Sequence, residues 1–191
     1  SLKVGYLQQI EYEKLINNYT CNVPLSISNI IRKGFFKRKI LEIMNIKEET
    51  IILSVGSGSV RELLELLIEG RINKKVIFNC LDFEKKAIDY VRNELEKIES
   101  SKKKFLNIRY FHNNIIDIVK NKTLKQQLAN ENLIYVSGVF DYLKDRFASR
   151  LIKQLYGLLN KEGTLIICNA SAENYSHRAY YEMLGEWNMI H

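Results

Sequence analysis

A glycine-rich turn is the feature of this sequence that most directly suggests a ligand site. The string Val55-Gly56-Ser57-Gly58-Ser59 closes a β-branched and aliphatic run, Thr50 to Val55, which predicts a buried strand. Glycines permit a tight turn and let a ligand approach the backbone. The helix predicted to begin near Val60 would add free N–H groups at its first turn. The position of the turn after the first strand makes it a stronger signal than a G-x-G string alone.

An acidic residue closes the next predicted strand. Lys75 to Leu81 is a second buried run, and Asp82 and Phe83 follow it. A carboxylate at this position suits the ribose hydroxyls of a nucleoside, although Asp82 also suits the start of the following helix. A glycine turn combined with an acidic second-strand end is more specific than either feature, and it predicts a nucleoside-containing ligand.

Two further strand ends carry polar residues. The third predicted strand, Phe105 to Phe111, is followed by the string His112-Asn113-Asn114, which suits either an adenine ring or an ordinary turn. The fourth, Leu133 to Val136, is followed by the string Ser137-Gly138-Val139-Phe140-Asp141-Tyr142. In this string Gly138 would open the backbone to a ligand. Asp141 and Tyr142 would face a substrate, or would simply begin the next helix.

The elements that position these residues alternate strictly between strand and helix from Thr50 onward. That order predicts an α/β fold with a doubly wound, mostly parallel sheet, in which ligands bind beyond the carboxyl ends of the strands. A fifth strand is predicted at Thr164 to Cys168 and a last helix at Tyr175 to Trp187. The first part of the chain differs from this alternation, because its pattern predicts two helices, Tyr6 to Asn18 and Ser26 to Met44. We therefore divide the chain into a helical segment, residues 1–49, and a ligand-binding domain, residues 50–191.

Composition limits the possible functions. The 191 residues suffice for little more than one domain. Charges interrupt every apolar run before membrane-spanning length. The three cysteines form no C-x-x-C pair, which favours a reducing, cytoplasmic setting, and the three scattered histidines predict no metal site. The net charge of +7 invites a nucleic-acid partner. Nucleic acid is the weaker interpretation, because the densest basic clusters suit solvated faces of a helix and a loop.

The residues next to the glycines in the sequence limit the classes of ligand that this turn could bind. A dinucleotide fingerprint requires a small residue where this chain has Arg61, which disfavours a nicotinamide cofactor. No lysine follows the glycines as in a P-loop, which disfavours a nucleoside triphosphatase. The Gly-Ser-Gly-Ser turn suits S-adenosylmethionine, which has no pyrophosphate to hold.

Three segments resemble class I S-adenosylmethionine-dependent methyltransferases. ILSVGSGSVRELLEL resembles their motif I, and CLDFEKKAIDYV resembles their second-strand motif. The segment YVSGVFDYLKDRFASRLIKQLYGLLNKEGTLIICN is similar to one in bacterial proteins related to 3-hydroxy-fatty-acid methyl ester synthases. The upstream string PLSISNIIRKGFFKRKILEI resembles their helical lead-in. The resemblance covers roughly residues 23 to 190 and is more specific for cofactor and fold than for substrate.

The resemblance implies S-adenosylmethionine as the cofactor and assigns residues to it. The assigned residues are Gly56, Ser57 and Gly58 at the methionine part, Asp82 at the ribose, Asn113 or Asn114 near adenine, and Ser137 and Gly138 beside the sulfonium. Val55 and Phe83 are further cofactor-binding candidates. Ser54 departs from the family, which often has an acidic residue there, and Glu62 is a substitute for it. The family's terminal antiparallel strand pair is expected to be missing, so that the domain is a fragment, has a shortened sheet, or is completed by a partner segment or a second copy.

The sequence leaves the methyl acceptor open. The candidate catalytic residues are Asp141 and Tyr142, with His112 and His177 as further possible bases. A carboxylate acceptor needs no base, because it is ionised near neutrality. We hypothesise that the N-terminal helices form a lid over an apolar or acyl substrate. The lid residues are Leu25, Ile27, Ile31, Phe35 and Phe36. Arg32 or Arg178 would bind the carboxylate of the substrate.

The sequence also leaves alternative functions open. The only proline is Pro24, so neither a base-amino methyltransferase motif nor a cytosine Pro-Cys loop is present. A different RNA-directed methyltransferase and a non-catalytic adenosylmethionine-binding module are the alternatives. A nicotinamide oxidoreductase is the least supported.

Overall fold

Five strands form a single parallel sheet in the computed structural model, which describes residues 2–170, with the backbone alone for residues 2–11 and 25. The strand order is β3-β2-β1-β4-β5. The strands are β1 (Glu49–Val55), β2 (Lys75–Asp82), β3 (Leu106–His112), β4 (Glu131–Ser137) and β5 (Leu159–Cys168). Every strand pair is parallel, and within residues 2–170 the sheet has no antiparallel strand.

Seven α-helices and two short 3-10 turns join these strands within the described residues. The helices are α1 (Leu2–Asn22), α2 (Pro24–Ile46), α3 (Arg61–Ile68), α4 (Lys85–Lys97), α5 (Ile115–Lys120), α6 (Lys122–Gln127) and α7 (Asp145–Leu158). Pro24 occupies the first turn of α2, where its missing N–H costs no hydrogen bond. None of the described helices combines the length and apolar character needed to cross a bilayer.

The helices cover both faces of the sheet. One apolar core joins β1 and β2 to α2, α3 and α4; Ile40, Leu67 and Val91 are among its buried members. The other core joins the opposite face to α5, α6 and α7, through residues such as Ile118 and Leu155. Because the sheet is buried on both faces, the sequences of its strands are continuous apolar runs. The predicted doubly wound α/β fold with an N-terminal helical segment is confirmed.

The centre of the sheet brings the predicted ligand residues together. β1 lies between β2 and β4, with Ser54 beside Cys80 on one side and Tyr135 on the other. Strand order reverses here, because the chain passes from β1 outward to β3 and then returns to β4 on the other side. A ligand crevice is expected at such a switch point, beyond the carboxyl ends of the strands.

Two predicted elements differ in detail from the structure. The loose helical periodicity from Ile115 to Leu128 predicts one helix. The structure has two helices there, because the side chain of Asn121 accepts a hydrogen bond from the amide of Leu124 and begins a new helix. The fifth strand begins earlier than predicted, at Leu159, and its pairing with β4 is shifted between Glu131 and Leu133.

Glycine accommodates the irregular start of β5. A Cβ atom on Gly163 would lie 2.6 Å from the carbonyl oxygen of Glu131, which leaves no room for a side chain there. Three sequence expectations lie outside the described residues: the last helix, Tyr175 to Trp187, and the side chains of Arg178 and His177.

Candidate functional site

Two cavities meet at Gly56, at the carboxyl ends of β1 and β4. The larger, about 530 Å³, is mostly apolar and extends toward β2 and α5; it is lined by Gly56, Leu81, Asp82, Phe83, Asn114, Ile115, Gly138, Val139, Tyr142 and Leu143. The smaller, about 310 Å³, is more polar and extends toward α2 and α3; among its lining residues are Asn29, Arg32, Ser54, Ser57, Glu62 and Ser137. We call them the apolar cavity and the polar cavity.

The glycine turn is held by hydrogen bonds from its own amides. The amides of Gly56 and Ser57 both donate to the carbonyl of Leu81, at 2.9 and 3.1 Å, and the amide of Gly58 donates to Asp82. Because these three N–H groups are used within the protein, the turn does not form an amide nest for a pyrophosphate.

Backbone conformation in the turn explains the need for glycine. Gly56 and Gly58 have φ of +63° and +54°, values that side chains disfavour. A Cβ on Gly56 would also lie 2.4 Å from Cγ2 of Val139. Val55, assigned to the ligand by the resemblance, has its side chain fully buried in the core and lines neither cavity.

Asp82 is buried at the end of β2, at 6% exposure, and lines the apolar cavity. Its Oδ2 accepts from the amide of Gly58 at 2.8 Å, and its Oδ1 accepts from the amide of Glu84 at 2.9 Å. The residue that immediately precedes α4 is Glu84, so Asp82 closes a two-residue turn rather than capping the helix itself. Each carboxylate oxygen retains a further lone pair for a ligand hydroxyl.

Phe83 presents its ring at the edge of the same cavity. The side chain is 63% exposed although it is a large apolar group, and it lines the apolar cavity. The carbonyl of Phe83 is hydrogen-bonded to Nε2 of His112 at 2.9 Å. That contact fixes the backbone of the β2–α4 connection against the end of β3.

The two asparagines after β3 have different surroundings. Asn114 lines the apolar cavity and caps α5, where its Oδ1 accepts from the amide of Ile116 at 3.0 Å. Asn113 is absent from the lining, and its side-chain amide donates to Asp117 at 3.2 Å. The turn chemistry considered for this string therefore operates, and Asn114 is the member that also borders the cavity.

The end of β4 separates the two cavities. Ser137 lines the polar cavity, whereas Gly138 and Tyr142 line the apolar one. Gly138 has φ of +71°. Asp141 is buried, and its Oδ1 accepts a hydrogen bond of 2.8 Å from the amide of Ala170. Burial, and secondarily the charge of Asp141, raises the pKa of Tyr142, which keeps this phenol a hydrogen-bond donor.

A buried carboxylate forms the floor of the polar cavity. Glu62, in the first turn of α3, is 9% exposed and accepts a hydrogen bond of 2.5 Å from the hydroxyl of Tyr135 on β4. Burial raises the pKa of Glu62, while the Tyr135 hydrogen bond and the charge of Arg32 oppose that rise. Burial also raises the pKa of Tyr135.

Comparison with solved structures shows what this arrangement resembles. The DszA carbon methyltransferase gives a TM-score of 0.59 at 13% identity, covering 86% of this chain and 41% of that one. The methyltransferase domain of bacterial-CtHen1-CN gives 0.55 at 15% identity, covering 84% and 75%. DhpI in complex with SAH gives 0.50 at 8% identity, covering 85% and 65%. The chain has the Rossmann-like methyltransferase fold.

These similarities are structural. No protein-family model matches the sequence, and no curated protein matches it either. The chain spans less than half the length of the DszA structure.

Within this methyltransferase fold, α2 supplies residues that the sequence assigned to another role. Arg32 and Asn29 line the polar cavity beside Glu62, and Phe36 stacks on Tyr135 with ring centroids 4.5 Å apart. The spacing of these α2 residues, three or four positions apart, marks one helix face. That spacing is the sequence signal for a shared face. It differs from the sequence interpretations, which place the basic clusters of α2 on a solvated face and Arg32 at a substrate carboxylate.

Ion pairs fix α2 on α3. Lys33 pairs with Glu65, and Lys37 bridges Glu65 at 3.0 Å and Glu69 at 2.5 Å. These contacts hold the cavity-facing side of α2 against the methyltransferase fold. The pKa of Glu65 is lowered, chiefly by its hydrogen bond from Lys33.

The side chains proposed for a lid do not share a face. Phe36 is buried in the core, and Phe35 is partly buried against it. Ile27 and Ile31 are 44% and 64% exposed, and neither lines the polar or the apolar cavity. A helix rotates about 100° per residue, so these isoleucines lie on the side of α2 opposite Phe36. The side chain of Leu25 is outside the described set.

Proposed function

We propose that this chain is an S-adenosylmethionine-dependent methyltransferase. The observation that carries the proposal is the pair of cavities that join at Gly56, one apolar and one polar. Such a pair suits a ligand with an aromatic nucleoside at one end and a charged amino acid at the other. The fold is that of solved methyltransferases, and one matched structure is a complex with SAH.

The apolar cavity suits the adenosine half. Asp82 would accept hydrogen bonds from the ribose hydroxyls, using the lone pairs that its backbone partners leave free. The exposed ring of Phe83 would pack on the face of adenine, and Asn114 would border its edge. Gly138, which has no side chain and a positive φ, would leave space for the sulfonium centre between the cavities.

Bound S-adenosylmethionine supplies an electrophilic methyl group, and the protein must orient a nucleophile toward it and exclude water. Tyr142 borders the apolar cavity beside Gly138 and is a neutral hydrogen-bond donor. Asp141 adjoins it and is tied to the end of β5 through Ala170. We assign Tyr142 to orienting the acceptor and Asp141 to positioning the segment that carries Tyr142.

The acceptor we propose is a small or acyl molecule, with the carboxylate of a hydroxy fatty acid as the specific candidate. The support is chemical. The ring of His112 is hydrogen-bonded to the carbonyl of Phe83. His112 is the one histidine within residues 2–170, and it lines neither cavity. A carboxylate would react without a base because it is already ionised.

Calorimetric titration of the full chain with S-adenosylmethionine, S-adenosylhomocysteine and NAD tests the cofactor. We expect binding of both adenosyl ligands and none of NAD. Phe83→Ala should weaken binding by about tenfold, since loss of base stacking costs roughly 1–3 kcal/mol. Tyr156→Ala removes another aromatic ring, 73% exposed on α7, and should leave affinity unchanged. Binding of NAD alone would refute the proposal.

Turnover distinguishes an enzyme from a binding module. We would follow S-adenosylhomocysteine formation with a panel of acyl acids, amines and RNA. Methylation of 3-hydroxy fatty acids would support a carboxylate as the methyl acceptor. Methylation of a different class of molecule would identify that class as the acceptor instead. Cofactor binding without turnover on any acceptor would favour the non-catalytic module. A salt-sensitive shift of RNA would favour the RNA-directed alternative.

A further inference from the structure

The polar cavity contains a cation that is in no hydrogen bond or ion pair with another described residue, although its charge acts on Glu62. Arg32 is half-buried on α2 and lines this cavity. Among residues 2–170 its guanidinium forms no hydrogen bond and no ion pair, whereas its neighbour Lys33 is paired with Glu65. Its Nη1 lies 3.9 Å from the position that a Cβ of Gly138 would take. Arg32 therefore reaches from α2 to the point where the two cavities meet.

The same cavity contains one buried carboxylate. Glu62 lines it, and its position is set by the hydrogen bond from Tyr135. Phe36 and Phe78 pack on Tyr135, with ring centroids 4.5 and 6.3 Å away, so the phenol that holds Glu62 is itself held rigidly. A carboxylate that is buried with a single side-chain donor keeps acceptor capacity for a further cationic group.

A guanidinium that pairs with no described residue, and a buried carboxylate in the same polar cavity, match the two charges of an α-amino acid. We infer that Arg32 and Glu62 bind the amino-acid end of the adenosyl ligand, with Arg32 on its carboxylate and Glu62 on its ammonium group. This inference rests on the proposed function and changes the role of Arg32, which the sequence had assigned to a substrate carboxylate.

Geometry favours this assignment over a substrate site. The polar cavity adjoins the apolar one at Gly56, so a ligand with its nucleoside beside Asp82 and Phe83 extends directly toward Arg32 and Glu62. The ion pairs between α2 and α3 hold the two charges at a fixed separation. The family's first-strand acid is replaced by Ser54, and the carboxylate comes from α3 instead.

The test measures the binding of three adenosyl ligands to the 191-residue chain. S-adenosylmethionine carries both charges, its decarboxylated form lacks the carboxylate, and 5′-methylthioadenosine lacks the whole amino acid. Affinities are measured by calorimetry for the wild type, Arg32→Met, Glu62→Gln and the control Arg38→Met. Arg38 is exposed on α2 and does not line the cavity. Thermal unfolding checks that each variant is folded.

We expect the wild type to prefer S-adenosylmethionine over 5′-methylthioadenosine by at least about tenfold, because 5′-methylthioadenosine cannot form the charge-assisted hydrogen bonds of the amino acid. Arg32→Met should abolish the preference for S-adenosylmethionine over its decarboxylated form and leave 5′-methylthioadenosine binding unchanged. Glu62→Gln should weaken both amino-bearing ligands and spare 5′-methylthioadenosine. Arg38→Met should match the wild type.

Three results would overturn the inference, and they differ from failure of the proposed function. Equal wild-type affinity for all three ligands would show that the amino acid is not bound, although adenosyl binding would stand. Equal weakening of all three in Arg32→Met would make Arg32 structural. If Arg32→Met still preferred S-adenosylmethionine over its decarboxylated form as strongly as the wild type does, Arg32 would not bind the carboxylate. Binding of none of the three ligands by the wild type would refute the proposed function and the inference together.

Discussion

The hydroxyl of Tyr135 donates a 2.5 Å hydrogen bond to the carboxylate of Glu62, and this bond joins β4 to the first turn of α3 beneath the glycine turn. The two residues are 73 positions apart in the chain. Tyr135 is 2% exposed and stacks on Phe36, so one side chain links β4, α3 and α2. The floor of the polar cavity depends on this contact.

Removing the Tyr135 hydroxyl should destabilise the protein. In Tyr135→Phe the aromatic packing is kept, but the buried Glu62 loses its donor, which costs roughly 1–3 kcal/mol. Urea unfolding of the two proteins measures the difference. Tyr156→Phe removes a hydroxyl from an exposed ring and should change the free energy of unfolding by less than about 0.5 kcal/mol. Equal effects of the two substitutions would contradict a structural role for the hydrogen bond.

Two glycines of the turn should respond differently to alanine. A Cβ on Gly58 meets nothing within 4 Å, so Gly58→Ala should cost only its left-handed backbone strain, about 1–2 kcal/mol. A Cβ on Gly56 meets Val139 at 2.4 Å. Gly56→Ala should therefore also displace Val139 and weaken S-adenosylhomocysteine binding by at least about tenfold. Calorimetry and thermal unfolding of both variants measure these effects, and loss of binding confined to Gly58→Ala would contradict the geometry.

A buried acid at the amino-terminal end of β4 should make stability depend on pH. Glu131 is fully buried, Asn79 donates to its Oε1 at 2.6 Å, and its Oε2 has no hydrogen-bond partner among the described residues. Burial raises the pKa of Glu131 to about 8, against hydrogen bonding from Asn79 and the charge of Arg109. Its neutral form is therefore the one that the folded state favours.

The direction of the effect follows from proton release. Between the ordinary pKa and about 8, unfolding frees a proton from Glu131, so stability is highest at low pH within that window and falls as pH rises, by up to about 1.4 kcal/mol per pH unit. Glu131→Gln should reduce this slope. Glu162→Gln is the control, since Glu162 is exposed and Lys47 lowers its pKa. A slope unchanged in Glu131→Gln would refute the assignment.

The ion pairs between α2 and α3 should contribute modestly and depend on salt. Lys37 bridges Glu65 and Glu69 and is only 18% exposed, so Lys37→Met should cost about 1 kcal/mol at low salt. Screening should reduce that cost in high salt. Lys39 pairs with Glu42 on the same helix, and Lys39→Met should cost less than about 0.5 kcal/mol. Urea unfolding at two salt concentrations compares them, and a salt-independent loss would point to packing instead of charge.

Local sequence was sufficient for the order of elements and for the glycine turn. Apolar runs identified all five strands of the described sheet, because buried parallel strands have a continuous apolar pattern. The break at Asn121 was not predicted, since one capping side chain decided it. The early start of β5 depends on Gly163 lying against the Glu131 carbonyl, a contact between distant segments that no local pattern encodes.

By itself, the sequence determined the α/β class and most of the residues that line the apolar cavity. It could do so because strand-end residues of a parallel sheet converge wherever the strands lie side by side. Tertiary structure alone decided that Glu62 binds Tyr135, that Arg32 faces the same cavity, and that Ile27 and Ile31 face away from it. Those facts depend on how α2 is rotated and docked against α3, which is set by packing and ion pairing between residues far apart in the chain.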